Sequence, residues 1–235
     1  MKKAFTLIEL MMVIVIMGII SYAGVEITLN IYRNYLQSRA INTLEMQTEL
    51  VLEQIAKRLS IRVRGSTIGK QLSNNGNGKF VSTQGAGLDN TFPILEWVTY
   101  SYESFQDGSW TGFIDLNNPN TSAAKNAATN SGQLSTPGSR LLVQNLQTNP
   151  ASANQNIRDL TNGRASLDNG NIGLIFKGTG LNVNSSFGYN RTNAQSVALV
   201  ANDTADTVLS IRNYRGQLIS EQYYLLHTAY AVVPG

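Results

Sequence analysis

Residues 5–25 read FTLIELMMVIVIMGIISYAGV, an apolar run that contains one charged residue, Glu9. As an α-helix with a rise of about 1.5 Å per residue, this run spans about 31 Å, close to the thickness of a bilayer core. Lys2 and Lys3 precede it, so the positive-inside rule places the N-terminus in the cytoplasm and the rest of the chain on the other side. The run therefore predicts a single membrane-crossing segment.

Three interpretations compete for this segment. A cleaved secretory signal fits the basic start, the apolar core and Ser21-Tyr22-Ala23 as a small-x-small cleavage site. A plain membrane anchor fits the length. The third interpretation must explain Glu9, because a carboxylate inside a membrane helix costs about 2.5–3.5 kcal/mol and marks a functional site by default. Neither a plain anchor nor a signal core has a use for this acid.

A cut between Ala4 and Phe5 would supply a cation for Glu9. The new α-amino group of Phe5 would lie one helical turn from Glu9. In a parallel stack of such helices, Glu9 of one subunit could pair with the amine of its neighbour. The acid would then set the register between subunits.

The stretch Lys3-Ala4-Phe5-Thr6-Leu7-Ile8-Glu9-Leu10, followed by the apolar run, closely resembles the leader and N-terminal helix of type IV prepilins and type II secretion pseudopilins. The resemblance implies that prepilin peptidase removes residues 1–4 as a leader and methylates the new N-terminal Phe5. Ala4 departs from the glycine that the family usually carries before the cut. The proline that many major subunits carry a little further on is also absent.

One long helix is predicted from Phe5 to about Arg64, because no proline occurs before Pro93. Arg58, Arg62 and Arg64 followed by Gly65 indicate its C-terminal end. We divide it into a membrane or filament-core segment, residues 5–25, and an amphipathic continuation, residues 26–64. The continuation has an apolar stripe that we expect to pack on a domain, formed by Leu44, Val51, Leu52, Ile55 and Leu59.

Residues 65–235 lose the helical periodicity and predict a β-rich globular domain. Short apolar runs alternate there with clusters of Gly, Asn, Ser and Thr. Asp168-Asn169-Gly170-Asn171 indicates a tight turn, interpreted as a hairpin between Ala165 and Ile172. Strands are predicted at 94–103, 110–116, 139–146, 172–176, 196–201, 207–211 and 222–233, the last one central, with loops at 74–78, 117–130 and 182–193.

The predicted fold class is therefore α+β. A long N-terminal helix, whose first half crosses the membrane, packs on a C-terminal antiparallel β-rich domain, as the resemblance to pilins also implies. Pro234-Gly235 follows the last apolar strand with no polar tail, which a truncated reading frame would explain.

The composition excludes several kinds of site. The chain of 235 residues has no cysteine and one histidine, so disulfides, thiol nucleophiles, Cys-ligated metals and multi-His metal sites are ruled out. A net charge of +3 is too small to predict a nucleic-acid partner. Gly65-Ser66-Thr67-Ile68-Gly69 is close to the hydrolase GxSxG motif but has threonine at the nucleophile position. His227 is interpreted as a packed residue of an apolar strand. We therefore predict no enzyme.

Calcium is the one cofactor that the acidic residues suggest. Asp115 opens an oxygen-rich segment that fails the EF-hand pattern, because Pro119 occupies a ligand position. Some pseudopilins bind calcium, so the resemblance keeps a loop site open at Asp115 or around Asp203 and Asp206. Otherwise no cofactor is predicted. A cluster of aromatic residues is interpreted as core packing, with a platform for a sugar or a partner as the alternative: Trp97, Tyr100, Tyr102, Phe105, Trp110 and Phe113.

The overall prediction is a structural subunit, a minor pilin or pseudopilin of a type IV pilus or a type II secretion pseudopilus. As the resemblance implies, it waits in the bacterial inner membrane with its domain in the periplasm or outside the cell. An assembly platform then lifts it into a filament with other pilin-like subunits. The large, disulfide-free, loop-rich domain favours a minor subunit. Two alternatives remain, an anchored or secreted β-domain that binds glycans or surfaces without polymerising, and an exported hydrolase.

Overall fold

The computed structural model describes residues 6–72, 78–121, 132–142, 152–190, 195–213 and 218–234. The chain divides into two compact units, residues 1–57 and residues 58–235. The first consists of most of one long helix, and the second is the sheet domain.

Helix α1 covers Leu7–Ser60 without interruption, which confirms the prediction of one continuous helix. Its composition explains this, since no proline occurs and its two glycines, Gly18 and Gly24, lie within an apolar, helix-forming run. No residue of α1 is buried. Leu44, Val51 and Leu52 are exposed and Ile55 and Leu59 are half-buried, so the packing of this stripe on a domain stays a prediction. The first buried apolar residue after the helix is Ile61.

The helix ends at Ser60, four residues before the predicted end. Ile61 and Val63 are both buried and alternate along the chain as in a strand. The Val63 amide donates to the Val98 carbonyl at 2.9 Å, and Arg62 forms an isolated bridge with Thr99. Pairing with the sheet therefore competes with the helix at these residues. The positive charges that indicated the helix end lie partly beyond it.

The described part of the second unit contains one eight-stranded sheet whose neighbouring strands all run antiparallel. Its order is β2-β1-β3-β8-β5-β6-β7-β4, so β8 is central, as predicted. The strands are β1 (Ile68–Lys70), β2 (Phe80–Ser82), β3 (Ile94–Tyr100), β4 (Gln133–Ser135), β5 (Ile172–Phe176), β6 (Ala198–Asn202), β7 (Val208–Asn213) and β8 (Tyr223–Val232), and the shorter helices are α2 (Tyr102–Gln106) and α3 (Ala153–Leu160).

The core of the domain lies against β5 and β8. All five residues of β5 are buried, and Leu174 and Leu225 face each other across the β5–β8 pair. Gly173 is required there, because a Cβ on it would lie 2.9 Å from Val197 Cγ1. Trp110 joins this core and donates from Nε1 to the Ser101 carbonyl at 2.9 Å. Leu174, Leu225 and Trp110 belong to the larger of two buried clusters among the described residues, and the smaller one contains Val63, Ile175 and Leu226.

The strand prediction at 110–116 is wrong, and the one at 139–146 is wrong over its described part, residues 139–142. Residues 110–116 form one isolated bridge, Phe113 with Gln222, because Gly112 takes φ +69° and breaks the extended run. Residues 139–142 form no strand, and residues 143–146 lie outside the described part of the chain. The turn at residues 167–170 is confirmed, with the Gly170 amide donating to the Leu167 carbonyl at 3.1 Å. It is not a hairpin, because residue 165 belongs to no strand.

Candidate functional site

The N-terminal end of α1 is the first candidate site. Thr6 is the residue before the helix, and the Leu10 amide donates to the Thr6 carbonyl at 3.3 Å, which starts the helical ladder. Ala4 and Phe5, the predicted cleavage and methylation positions, lie outside the described residues. The geometry therefore begins one residue after the predicted cut.

Glu9 folds back onto Thr6. Its Oε2 atom accepts a hydrogen bond from the Thr6 amide at 3.0 Å and another from Thr6 Oγ1 at 2.9 Å. This is the carboxylate half of a capping box, in which an acid three residues into a helix satisfies the amide of the cap residue. The described residues donate no hydrogen bond to Oε1 of Glu9, so half of the carboxylate remains free for another donor.

This geometry corrects one step of the sequence argument. Glu9 has a local use in any helix that begins at Leu7, including a plain anchor, because it satisfies an amide at the helix start. Glu9 also lies in the first turn, near the N-terminal end of the apolar run. The cost of about 2.5–3.5 kcal/mol for placing a carboxylate in a membrane helix applies at the centre of that helix. The role of Thr6 was missed, although Thr6-Leu7-Ile8-Glu9 carries the capping-box spacing.

Helix α1 is long and apolar enough to cross a membrane. This is the property that the apolar run predicted. A signal sequence near an N-terminus has the same property, so hydropathy alone does not distinguish an anchor from a signal peptide.

The acidic residues that could hold calcium are each used in local hydrogen bonds. Asp115 Oδ1 accepts from the Asn117 amide at 2.9 Å, and Asp206 Oδ1 accepts from the Leu142 amide. Asp203 accepts from the side chain of Ser210, from the Thr204 amide at 2.7 Å and from Gln133 Nε2 at 2.7 Å.

These hydrogen bonds to Asp203 lower the pKa of its carboxyl to about 2. The structure does not unite the three aspartates into one site. In the described ranges, no group of three or more histidine or acidic side chains could hold a metal ion. Calcium binding stays a prediction.

A second cluster of charged and aromatic groups, which sequence reasoning did not bring together, surrounds Arg58 within the second unit. Arg58 Nη1 donates to Glu103 Oε1 at 2.6 Å, and the Arg58 guanidinium carbon lies 5.5 Å from the centre of the Tyr230 ring. The Trp97 indole donates to the Arg58 carbonyl at 3.3 Å. These contacts join Arg58 to β3, α2 and β8.

His227 lies in the same part of the domain. Its Nδ1 atom and Oε2 of Glu103 are both buried without a hydrogen-bond partner among the described residues. Burial lowers the pKa of His227, with the charge of Arg58 acting in the same direction and that of Glu103 opposing both. Burial acts to raise the pKa of Glu103, but hydrogen bonds and the charge of Arg58 hold it below its usual value. His227 is thus a half-buried residue of β8, in agreement with its interpretation as a packed residue of an apolar strand.

The aromatic cluster is divided between core and surface. Trp97 and Trp110 are almost fully buried, whereas Phe105 and Phe113 are about half exposed. Tyr100 lies between these extremes, with its ring centre 5.3 Å from that of Tyr224. Core packing therefore accounts for the tryptophans but not for the whole cluster.

Comparison with known proteins identifies the N-terminal segment. Residues 1–21 match the family model described as the prokaryotic N-terminal methylation motif. This motif is the signature of type IV prepilins and pseudopilins, so the resemblance seen in the sequence is confirmed over these residues. No curated protein and no solved structure matches the chain. The motif, the long apolar helix and the antiparallel sheet together form a pilin-like layout.

Proposed function

We propose that the chain is a structural subunit, a minor pilin or pseudopilin, of a type IV pilus or a type II secretion pseudopilus. The methylation motif at residues 1–21 carries this proposal. The pilin-like layout, one long apolar helix before an antiparallel sheet domain, supports it. The size and loop-rich composition of the domain favour a minor subunit.

Processing is the first step of the proposed function. Prepilin peptidase cuts between Ala4 and Phe5 and methylates the new amino group of Phe5. Ala4 is small, as the position before the cut requires, although glycine is usual in proteins that carry this motif. After the cut, the Thr6 amide and hydroxyl are still present, so the hydrogen bonds to Glu9 survive processing.

The proposed subunit then waits in the inner membrane. Helix α1 crosses it once, with the N-terminus in the cytoplasm beside Lys2 and Lys3 and the domain in the periplasm. An inner-membrane assembly platform moves the subunit into the filament. The exposed apolar side chains of the first half of α1 pack there against the helices of other pilin-like subunits.

Glu9 has two roles in this proposal. Oε2 caps its own helix through Thr6, and Oε1 is free to accept from the methylated α-amine of a neighbouring subunit. A carboxylate can accept both sets of hydrogen bonds because each of its oxygens has two lone pairs. The capping geometry thus prepares the carboxylate for pairing by fixing its side chain.

The second candidate is a membrane-anchored β-domain that never polymerises. The capping box favours keeping this candidate, because it gives Glu9 a use within a single chain. The two candidates differ in processing, which a plain anchor does not need.

Mass spectrometry of the protein purified from its native host tests the proposal. We expect an N-terminus at Phe5 that is about 14 Da heavier than the unmodified chain, since one methyl group is added. Ala4→Gly should be processed at least as completely, and Ala4→Arg, which places a large cation at the cut, should stay uncut. An N-terminus at Gly24 would indicate an ordinary signal peptide. An intact Met1 would indicate a plain anchor.

A further inference from the structure

A cleft of about 500 Å³ opens on the sheet domain, beside the ends of β3, β5 and β8. Its volume falls in the range of small-molecule sites, about 300–1,000 Å³, and is larger than an inorganic anion needs. One wall is the segment that follows α1, and the other is the turn that follows β5. Its lining includes three cations, two tyrosines and a threonine: Arg62, Arg64, Lys177, Tyr100, Tyr224 and Thr179.

The first wall is held in place by hydrogen bonds to the sheet. The Val63 amide donates to the Val98 carbonyl at 2.9 Å, and the Ser66 hydroxyl donates to the Val63 carbonyl at 2.7 Å. Tyr189 adds a bond from its hydroxyl to the Ser66 carbonyl at 2.6 Å. The backbone that carries Arg62 and Arg64 is therefore fixed before any ligand binds.

The second wall is a tight turn with little side-chain bulk. The Lys177 amide donates to the Gln222 carbonyl at 2.8 Å, and the Thr179 amide donates to the Phe176 carbonyl at 3.3 Å. Gly178 takes φ +88°, and open space lies where its Cβ would be. The turn therefore leaves the cleft accessible between Lys177 and the opposite wall.

The charge of the cleft is positive. Arg62, Arg64 and Lys177 line it, and none of its lining residues is acidic. The Arg64 and Lys177 side chains have no hydrogen bond or ion pair with the described residues, and Arg62 donates only to the Leu59 carbonyl at 2.9 Å. Thr179 Oγ1 is buried without a partner among the described residues. The cleft thus offers donors that no carboxylate of the described chain satisfies.

Two aromatic rings line the cleft. Tyr100 and Tyr224 are both half-buried, with their rings tilted by 39° and their centres 5.3 Å apart. Tyrosine presents an apolar ring and a polar hydroxyl, which suits a ligand with apolar C–H faces and hydroxyl groups. Sugars have this character, and the cations add a requirement for negative charge.

We propose that this cleft binds an acidic saccharide. In this assignment Arg64 and Lys177, from opposite walls, bind the carboxylate of the sugar, and a sugar ring lies over Tyr100 and Tyr224. Thr179 Oγ1 donates to a ring or hydroxyl oxygen. The inference does not depend on filament assembly, because every residue it uses belongs to the sheet domain.

Calorimetric titration of the full chain in a non-ionic detergent at low salt tests the proposal. The probe is digalacturonate, and the matched neutral probe is the corresponding galactose disaccharide. We expect digalacturonate to bind with a millimolar or lower dissociation constant and at least about tenfold more tightly than the neutral disaccharide. Arg64→Ala and Lys177→Ala should each weaken binding about fivefold or more. Lys79→Ala, which removes an exposed cation outside the cleft, should leave binding unchanged.

Tyr224→Leu separates the sugar from its charge. It keeps apolar bulk but removes the aromatic face, so it should weaken digalacturonate binding while leaving binding of inorganic phosphate unchanged. Equal binding of the charged and neutral disaccharides would overturn the proposal. The absence of binding heat at a probe concentration of about 10 mM, which is high enough to detect ligands with millimolar dissociation constants, would also overturn it. Phosphate or a mononucleotide binding more tightly than digalacturonate would assign the cleft to phosphate ligands instead. Far-ultraviolet circular dichroism checks that each variant is folded.

Discussion

Two substitutions at the N-terminal end of α1 separate the capping role of Glu9 from its pairing role. Glu9→Gln keeps an oxygen that accepts from the Thr6 amide and hydroxyl, and glutamine serves in a capping box as glutamate does. It removes the negative charge that an α-amine would need. Thr6→Val keeps the charge and the amide donor but removes the hydroxyl that donates to Glu9 at 2.9 Å.

The two changes differ in expected size. Removing one partner of a buried ion pair costs about 3–5 kcal/mol, because the other charge stays unpaired. At 1.4 kcal/mol for each factor of ten, this corresponds to a loss of about 100-fold to 4,000-fold in the equilibrium for incorporation. Removing one hydrogen bond at the cap costs about 0.5–1.5 kcal/mol, or roughly two-fold to tenfold.

The assay is incorporation into filaments sheared from the native host, measured by immunoblot and divided by the amount of processed subunit in the membrane. We expect Glu9→Gln to be processed and stable but absent from the sheared fraction, and Thr6→Val to remain in it. The opposite pattern, with Glu9→Gln incorporated and Thr6→Val excluded, would mean that Glu9 acts only as a helix cap. If both variants are incorporated into filaments to the same extent, the pairing role is refuted as well.

Three further predictions concern the domain and the helix. A chain that begins near Asn30 lacks the apolar run and should be soluble and monomeric in light scattering, because α1 is the one described helix that could span a membrane. If this shortened chain still partitions into the membrane fraction, the protein has a second anchoring surface. Leu174→Ala should lower the free energy of unfolding, measured by urea denaturation, by about 2–5 kcal/mol, because the Leu174 side chain is fully buried. Leu160→Ala, at a half-exposed position, should change it by about 0.5 kcal/mol or less, and equal effects of the two substitutions would contradict the assignment of the core. Because burial lowers the pKa of His227, the unfolded state binds more protons than the folded state, so the free energy of unfolding should be highest above pH 6.5 and fall as the pH drops below that value. His227→Gln should reduce this dependence of the free energy of unfolding on pH, and an unchanged dependence would show that it comes from other groups.

The sequence was sufficient to predict those elements that carry a strong local pattern. Helix α1 follows from the absence of proline, and β5 from a short run of apolar residues between turn signals. The central place of β8 follows from its length and apolar character. The residues that determine these elements lie within the elements themselves, so their pattern can be recognised in the sequence.

The elements that sequence reasoning missed depend on contacts between distant residues, with one exception. The strands β1, β2 and β4 have three residues each and exist through pairing with longer neighbours, so no local pattern identifies them. Helix α3 is the exception. Ser152 accepts from the Gln155 amide at 3.1 Å, and this cap could have been recognised from the Ser152-x-x-Gln155 spacing.

The candidate sites show the same division. Glu9 was identified because it is the one charge in the apolar run, and its partner Thr6 could have been identified from its spacing. The cationic cleft could not be identified, because Arg64 and Lys177 are far apart in the chain and come to line one cleft only in the folded domain. The aromatic cluster was recognised, but the burial that divides Trp97 from Phe105 depends on packing that composition does not express.

The central claim, that the N-terminal helix packs against other pilin-like subunits in a filament, is tested most directly by photo-crosslinking in the native host. Benzoylphenylalanine in place of Ile14, an exposed apolar residue of α1, reacts with whatever chain lies beside the helix. Mass spectrometry of the adducts should identify the N-terminal helix of a subunit with the same methylation motif, and these adducts should disappear in Glu9→Gln. Adducts with lipid alone, from a chain that is processed and stable, would contradict the account.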